Sequence, residues 1–119
     1  MIEKTVLDYL NSKLDVPVLM ELPEVPSESY PVFPYSMVLI EKVGERVTDR
    51  VHTASIALQS YSTQSLFYAA ALDEQVREAM DGIVELDAVG ASHMTSNYNF
   101  TDTRTKRYRY QCVFDITFV

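Results

Sequence analysis

Apolar and polar residues alternate along the last stretch of the chain. Tyr108, Tyr110, Cys112, Phe114, Ile116 and Phe118 fall at every second position, with Arg107, Arg109, Gln111, Asp115 and Thr117 between them. Period two of this kind marks a strand with one apolar face and one wetter face. Val51 to Tyr61 repeats the pattern, with His52, Ala54, Ile56 and Leu58 on one side and Thr53, Ser55, Ala57 and Gln59 on the other. Met37 to Val43 opens on an unbroken apolar run, which predicts a strand in a central position. The polar stretch Gly44 to Arg50 is expected to turn it into the next strand as an antiparallel hairpin. Val18 to Leu22 reads as a short strand stopped by Pro23. Val89 to Phe100 reads as a more polar strand near an edge, joined to the last strand by a turn over 101–106.

Two segments carry helical spacing instead. Ile2, Val6, Leu7, Leu10 and Leu14 mark one face of a helix over residues 2–14, opposite Glu3, Lys4, Asp8 and Lys13. Asp15 to Pro17 ends it, because the residue before proline is pushed out of helical geometry. A second helix is expected from a cap at Ser62 or Thr63 to about Met80. Its buried stripe would be Leu66, Ala69, Ala70, Leu72, Val76, Ala79, Met80 and Ile83, with Gly82 closing its end. The order helix, three strands, helix, two strands predicts an α+β fold. It would be one mostly antiparallel sheet of about five strands under two helices.

The loop over residues 23–35 carries Pro23, Pro26, Pro31 and Pro34 together with Tyr30, Phe33 and Tyr35. Loops this long are uncommon in compact domains unless they have a task. Two readings stand: a stiffened aromatic contact surface, or a lid of rings folded back on the sheet.

Bulk properties narrow the field. A chain of 119 residues is expected to form a single domain, 1–119, with a core that needs no staple. Its formal charge of -7 argues against coating nucleic acid non-specifically. The charge is unevenly spread. Residues 73–87 hold Asp73, Glu74, Glu78, Asp81, Glu85 and Asp87 against Arg77 alone, whereas 104–109 hold Arg104, Lys106, Arg107 and Arg109 with no acid. Acids in the last turn of the second helix oppose its dipole, so they are candidates for meeting a basic partner. The one cysteine, Cys112, falls on the apolar face of the last strand and is expected to be a buried thiol. The residues from Met1 to Asp8 lack the basic-then-apolar order of a secretion signal, and no apolar run is of membrane-spanning length. The expectation is a reducing cytosol, or a structure assembled there.

Candidate chemistry is thin. His52 and His93 each stand alone on a strand, and no His/Cys pair has metal-ligand spacing. No serine lies in a nucleophile-elbow pattern, and three glycines do not make a phosphate-cradling loop. No catalytic group, cofactor or metal is expected, and the reading is that the chain is not an enzyme.

The hairpin Ser96-Asn-Tyr-Asn-Phe-Thr-Asp-Thr-Arg-Thr-Lys-Arg-Tyr-Arg-Tyr-Gln111 resembles the C-terminal part of tail terminator proteins of long, non-contractile-tailed bacteriophages. These are also called tail completion or head-tail joining proteins. The likeness extends to Thr53 through Thr63 with the helix that follows, and to the N-terminal helix. The resemblance implies a non-enzymatic virion protein, assembled in the host cytoplasm and placed at the head-proximal end of the tail. There it would form a hexameric ring that stops tube polymerisation. Its partners would be copies of itself, the major tail-tube protein and the head connector, with DNA passing through unread. A ring uses two different, complementary patches per subunit. In that role Asp73, Glu74 and Glu78 are candidates to meet Arg104, Lys106, Arg107 and Arg109 of a neighbour. Tyr30, Phe33 and Tyr35 would supply apolar contact. Glu45, Asp49, Glu85 and Asp87 are candidates for an acidic lumen that repels DNA. Two other readings stay open: a different neck or head-completion component, and a small α+β binding or enzymatic domain using a cleft between the proline-rich loop and the sheet.

Overall fold

A computed structural model describes residues 1–21, 36–101 and 107–118. The element order is α1 (Ile2–Lys13), β1 (Val18–Leu19), β2 (Ser36–Thr48), β3 (Val51–Ser62), α2 (Leu66–Asp81), a 3-10 turn (Ile83–Glu85), β4 (Val89–Asn99) and β5 (Tyr108–Phe118). The strands form a five-stranded sheet in the order β1-β2-β3-β5-β4. Every pairing is antiparallel except the short β1–β2 contact. This is the α+β architecture expected from the alternation.

The two strongly alternating segments, β3 and β5, sit side by side in the middle, paired from His52↔Phe118 to Ser62↔Tyr108. One face of the sheet carries Val38, Ile40, Ala54, Ile56, Leu58, Cys112, Phe114 and Ile116, all buried under the helices. From α1 come Ile2, Val6 and Leu10, and from α2 come Leu72, Val76 and Met80. Asn11 anchors α1 to β1, accepting from the Val18 amide (3.3 Å) and donating to the Val18 carbonyl (3.4 Å).

Several boundaries differ from the sequence reading. β2 runs on to Thr48, well past the turn expected at Gly44, with a bulge between Lys42 and Gly44. The reversal is a two-residue turn, Asp49 and Arg50, at φ 50° and φ 69°. Tight hairpin turns favour Asn-Gly for this geometry; neither residue here is glycine, so the usual signal is missing. β2 is not central either, since β1 covers it only at Val38 and Leu39. The cap of α2 is Ser65, whose Oγ accepts from the Tyr68 amide at 3.2 Å. Ser62 is instead the last residue of β3, and its Oγ accepts from the Gln64 amide (3.1 Å). Leu66 is exposed, and Asp73 takes a place in the buried stripe of α2.

Gly82 does close α2, though with right-handed backbone. Proximity favours glycine there: a Cβ would lie 2.8 Å from the Tyr9 hydroxyl, which would have to move. That hydroxyl donates to the Ala79 carbonyl at 2.6 Å, tying α1 to the last turn of α2. Burial, then the nearby Glu85 and Asp81 carboxylates, raise the Tyr9 pKa above its ordinary value and keep the donor proton in place.

Gly82→Ala is expected to displace the Tyr9 hydroxyl and cost about 1 kcal/mol, the worth of a typical hydrogen bond. In a Tyr9→Phe background the same substitution should cost much less, which a double-mutant cycle by urea denaturation reads directly. At the hairpin turn, Arg50→Gly should stabilise by about 0.5–1 kcal/mol, because left-handed backbone costs a residue that carries a Cβ more than it costs glycine. The same titration reads it as a higher midpoint.

Candidate functional site

Two polar assemblies flank the central strands. On the helix side, Asp73 is 1% exposed, so it does not belong to the acidic surface the sequence suggested. Its helical spacing from Ala69 and Val76 turns it inward. Its Oδ2 accepts from Arg77 Nε (3.0 Å) and from Asn97 Nδ2 (2.8 Å), pinning α2 to β4. Oδ1 has no nitrogen or oxygen donor among the described residues. The Cys112 thiol shares this environment and is fully buried. Burial first, then the Asp73 charge, push the Cys112 pKa far above the ordinary thiol value, so it stays protonated and unreactive.

On the opposite face runs a directional chain of hydrogen bonds. Arg109 Nη1 donates to the Tyr61 hydroxyl (2.8 Å), which donates to Gln59 Oε1 (3.1 Å). Gln59 Nε2 donates to Gln111 Oε1 (2.9 Å), and Gln111 Nε2 donates to the Tyr98 hydroxyl. The guanidinium also lies 4.1 Å from the Phe100 ring centre, and its Nε donates to the Phe100 carbonyl at 2.7 Å. Arg109, a candidate for a subunit interface, is half-buried and ties β3, β5 and the end of β4 together within its own chain.

The remaining surface candidates separate clearly. Glu74 and Glu78 are exposed on α2, as expected for a contact face. Tyr30, Phe33, Tyr35, Arg104 and Lys106 lie outside the described residues, and Arg107 is half-buried at the start of β5. Glu45 is held by Lys42 Nζ (3.2 Å) and approached by His52 Nδ1 (3.4 Å). The Lys42 hydrogen bond is the main cause lowering the Glu45 pKa. His52 therefore does not stand alone; it also packs on Phe118, ring centres 5.4 Å apart. The row Val47–His52–Phe118–Val89 marks one end of the sheet. Asp49 lies just beyond that end on one side, and Glu85 and Asp87 lie just before Val89 on the other, so sequence-distant acids share one rim.

Sequence reasoning missed a groove between α2 and β4, about 440 Å³ in volume. Met80, Met94, Phe114 and Val84 give it an apolar lining, and Glu74, Glu78 and Asp81 an acidic one, with Arg77 beside them. Across Arg77 a second hollow of about 340 Å³ is lined by Phe67, Asn97 and Tyr110 among others. The available signal was Met94, a large apolar residue in the polar middle of β4. Exposed apolar side chains cluster nearby: Phe67 is 74% exposed and Tyr68 52%. No group of three or more His, Cys, Asp or Glu is arranged to hold a metal among the described residues. Among them also, no helix is long and apolar enough to cross a membrane. Compared with known proteins, the chain matches no family profile, and no curated protein resembles it closely enough in sequence to count as a relative.

Asp73→Ala should destabilise the fold by about 1–3 kcal/mol, because it strips a buried acceptor from Asn97 and Arg77. Denaturant titration checks this. Glu74→Ala on the neighbouring exposed position should shift stability by less than about 0.5 kcal/mol.

Proposed function

We propose that this protein is a structural subunit that closes into a ring and terminates the tail tube of a long-tailed bacteriophage at its head-proximal end. The observation that carries the reading is the distribution of uncovered apolar side chains on a small, otherwise acidic chain. Phe67, Tyr68, Met94, Val43 and Val47 are all exposed, from 47% to 74%. Aromatic residues and methionine are enriched at protein–protein contacts, and a lone subunit exposing several of them has surface left to bury.

A second feature supports it. The stretches that carry the resemblance, 53–63 and 96–111, lie far apart in sequence but include direct neighbours in the sheet, through β3–β5 and β5–β4 pairing. Residues 59–62 of β3 pair with 108–111 of β5, and Tyr98 and Asn99 of β4 pair with Gln111 and Tyr110. In this role, charge would orient neighbours, since each exposed pair contributes only about 0–1 kcal/mol, while apolar contact supplies the holding energy. Glu74 and Glu78 are the exposed acids of α2 that this reading assigns to a neighbour's basic segment at 104–107. The acidic end of the sheet with Glu45, Asp49, Glu85 and Asp87 is proposed to surround the mouth of the lumen, past which DNA moves without sequence-specific contact. Tail-tube protein and head connector would occupy the two faces of the ring. Another neck component would differ by its position in the particle.

The groove between α2 and β4 favours one competing reading, a small-ligand-binding domain. Light scattering with negative-stain imaging separates the two. Rings, together with overlong tails in a phage lacking the gene, are expected. A strictly monomeric protein whose melting temperature rises with a small apolar ligand would replace this reading with the binding domain.

A further inference from the structure

The two long outer edges of the sheet are unequal, and they match. β4, Val89–Asn99, is an eleven-residue edge strand. It contains no Lys, Arg, Asp, Glu or Pro. Natural edge strands are normally guarded by charge, proline, brevity or bulges, because their unpaired N–H and C=O groups recruit other strands. Bulges after Val89 and after Met94 are the only such device on β4. At the other side, β1 covers β2 only at Val38 and Leu39, so from Ile40 to Thr48 the outer edge of β2 has no strand partner among the described residues. Every residue from Glu41 to Val51 is exposed, so this hairpin arm stands clear on both of its faces.

We propose that the outer edge of β4 pairs with the outer edge of the β2 arm in a second copy of this chain. This inference rests on the ring reading and names its contact. Strand direction supports it. β2 and β3, β3 and β5, and β5 and β4 are each antiparallel, so β2 and β4 point in opposite senses. A rotation axis running along the strands then joins β4 of one copy to β2 of the next as antiparallel neighbours. Both helical layers stay on the same side. The contact is head-to-tail, the type that closes a ring.

Charge agrees with this arrangement. Arg50, at the arm tip, makes no ion pair among the described residues. The level of the arm tip corresponds to the start of β4, where Glu85 and Asp87 are exposed. Val47, 58% exposed on the helix-side face of the arm, lies at the level of Val89, so it would come beside the neighbour's 3-10 turn, which carries the exposed Val84. The pairing covers main-chain groups and apolar side chains together, which a charged partner of another kind would leave uncovered.

Two variants test it. His93→Lys with Thr95→Lys guards the β4 edge, and Val47→Asp with Arg50→Asp sets the arm against the acidic start of β4. Circular dichroism and melting establish that each is folded. By light scattering the wild-type chain should form rings, each variant should be monomeric, and an equimolar mixture should give heterodimers and nothing larger. In the wild type, hydrogen exchange at residues 40–48 and at Asn97 and Asn99 should slow as concentration rises. That measurement needs no variant to fold. Rings retained by either variant, or a mixture without heterodimers, would overturn the edge pairing while leaving the terminator role standing. A homodimer of the arm variant would replace it with β4–β4 pairing. A wild-type chain that stays monomeric at every concentration would overturn both.

Discussion

The register between β3 and β5 is the constraint from which the rest of the molecule follows. Their eleven paired positions put Ala54, Ile56, Leu58, Cys112, Phe114 and Ile116 on one face and Gln59, Tyr61, Arg109 and Gln111 on the other. A slip of one residue would exchange the two sets, sending apolar side chains to the wet face and glutamines under the helices. That penalty fixes the register more firmly than main-chain hydrogen bonds alone would. The polar chain from Arg109 to Tyr98 adds a second lock, because its members meet only in this alignment.

Elements with strong periodicity were legible in the sequence because burial on one side writes a period into it. β3, β5, both helices and the burial of Cys112 belong to this group, as does the overall α+β arrangement. β2 was misread beyond Val43 because residues 41–48 are exposed on both faces, so no buried side imposes a pattern on them. The turn was misplaced for a related reason: Asp49 and Arg50 adopt left-handed backbone without the glycine that normally advertises it. Asp73 was assigned to the surface from its charge, although its position in the helical repeat places it inward. Composition overrode spacing there, and the partner that makes burial tolerable, Asn97, lies on a distant strand that no local pattern connects to it.

The candidate site was less legible than the fold. Acidic residues on α2 and around the 3-10 turn were visible as a run. The groove beside them arises only when α2 and β4 come together, at Met80, Met94 and Phe114. Arg109 illustrates the converse. A cation in a basic cluster suggests a partner, but two aromatic rings and two oxygen acceptors within its own chain already engage it. Charge clusters thus divide into residues that hold the subunit together and residues left for neighbours, and only the folded arrangement separates them.

The sole sulfhydryl of the chain lies sealed between sheet and helix. Maleimide dyes and spin labels would leave the native protein unmarked. A cysteine introduced anywhere on the exterior would therefore be its single accessible attachment point. The natural sequence is already a clean background for measuring distances between subunits, with no native residue to remove first.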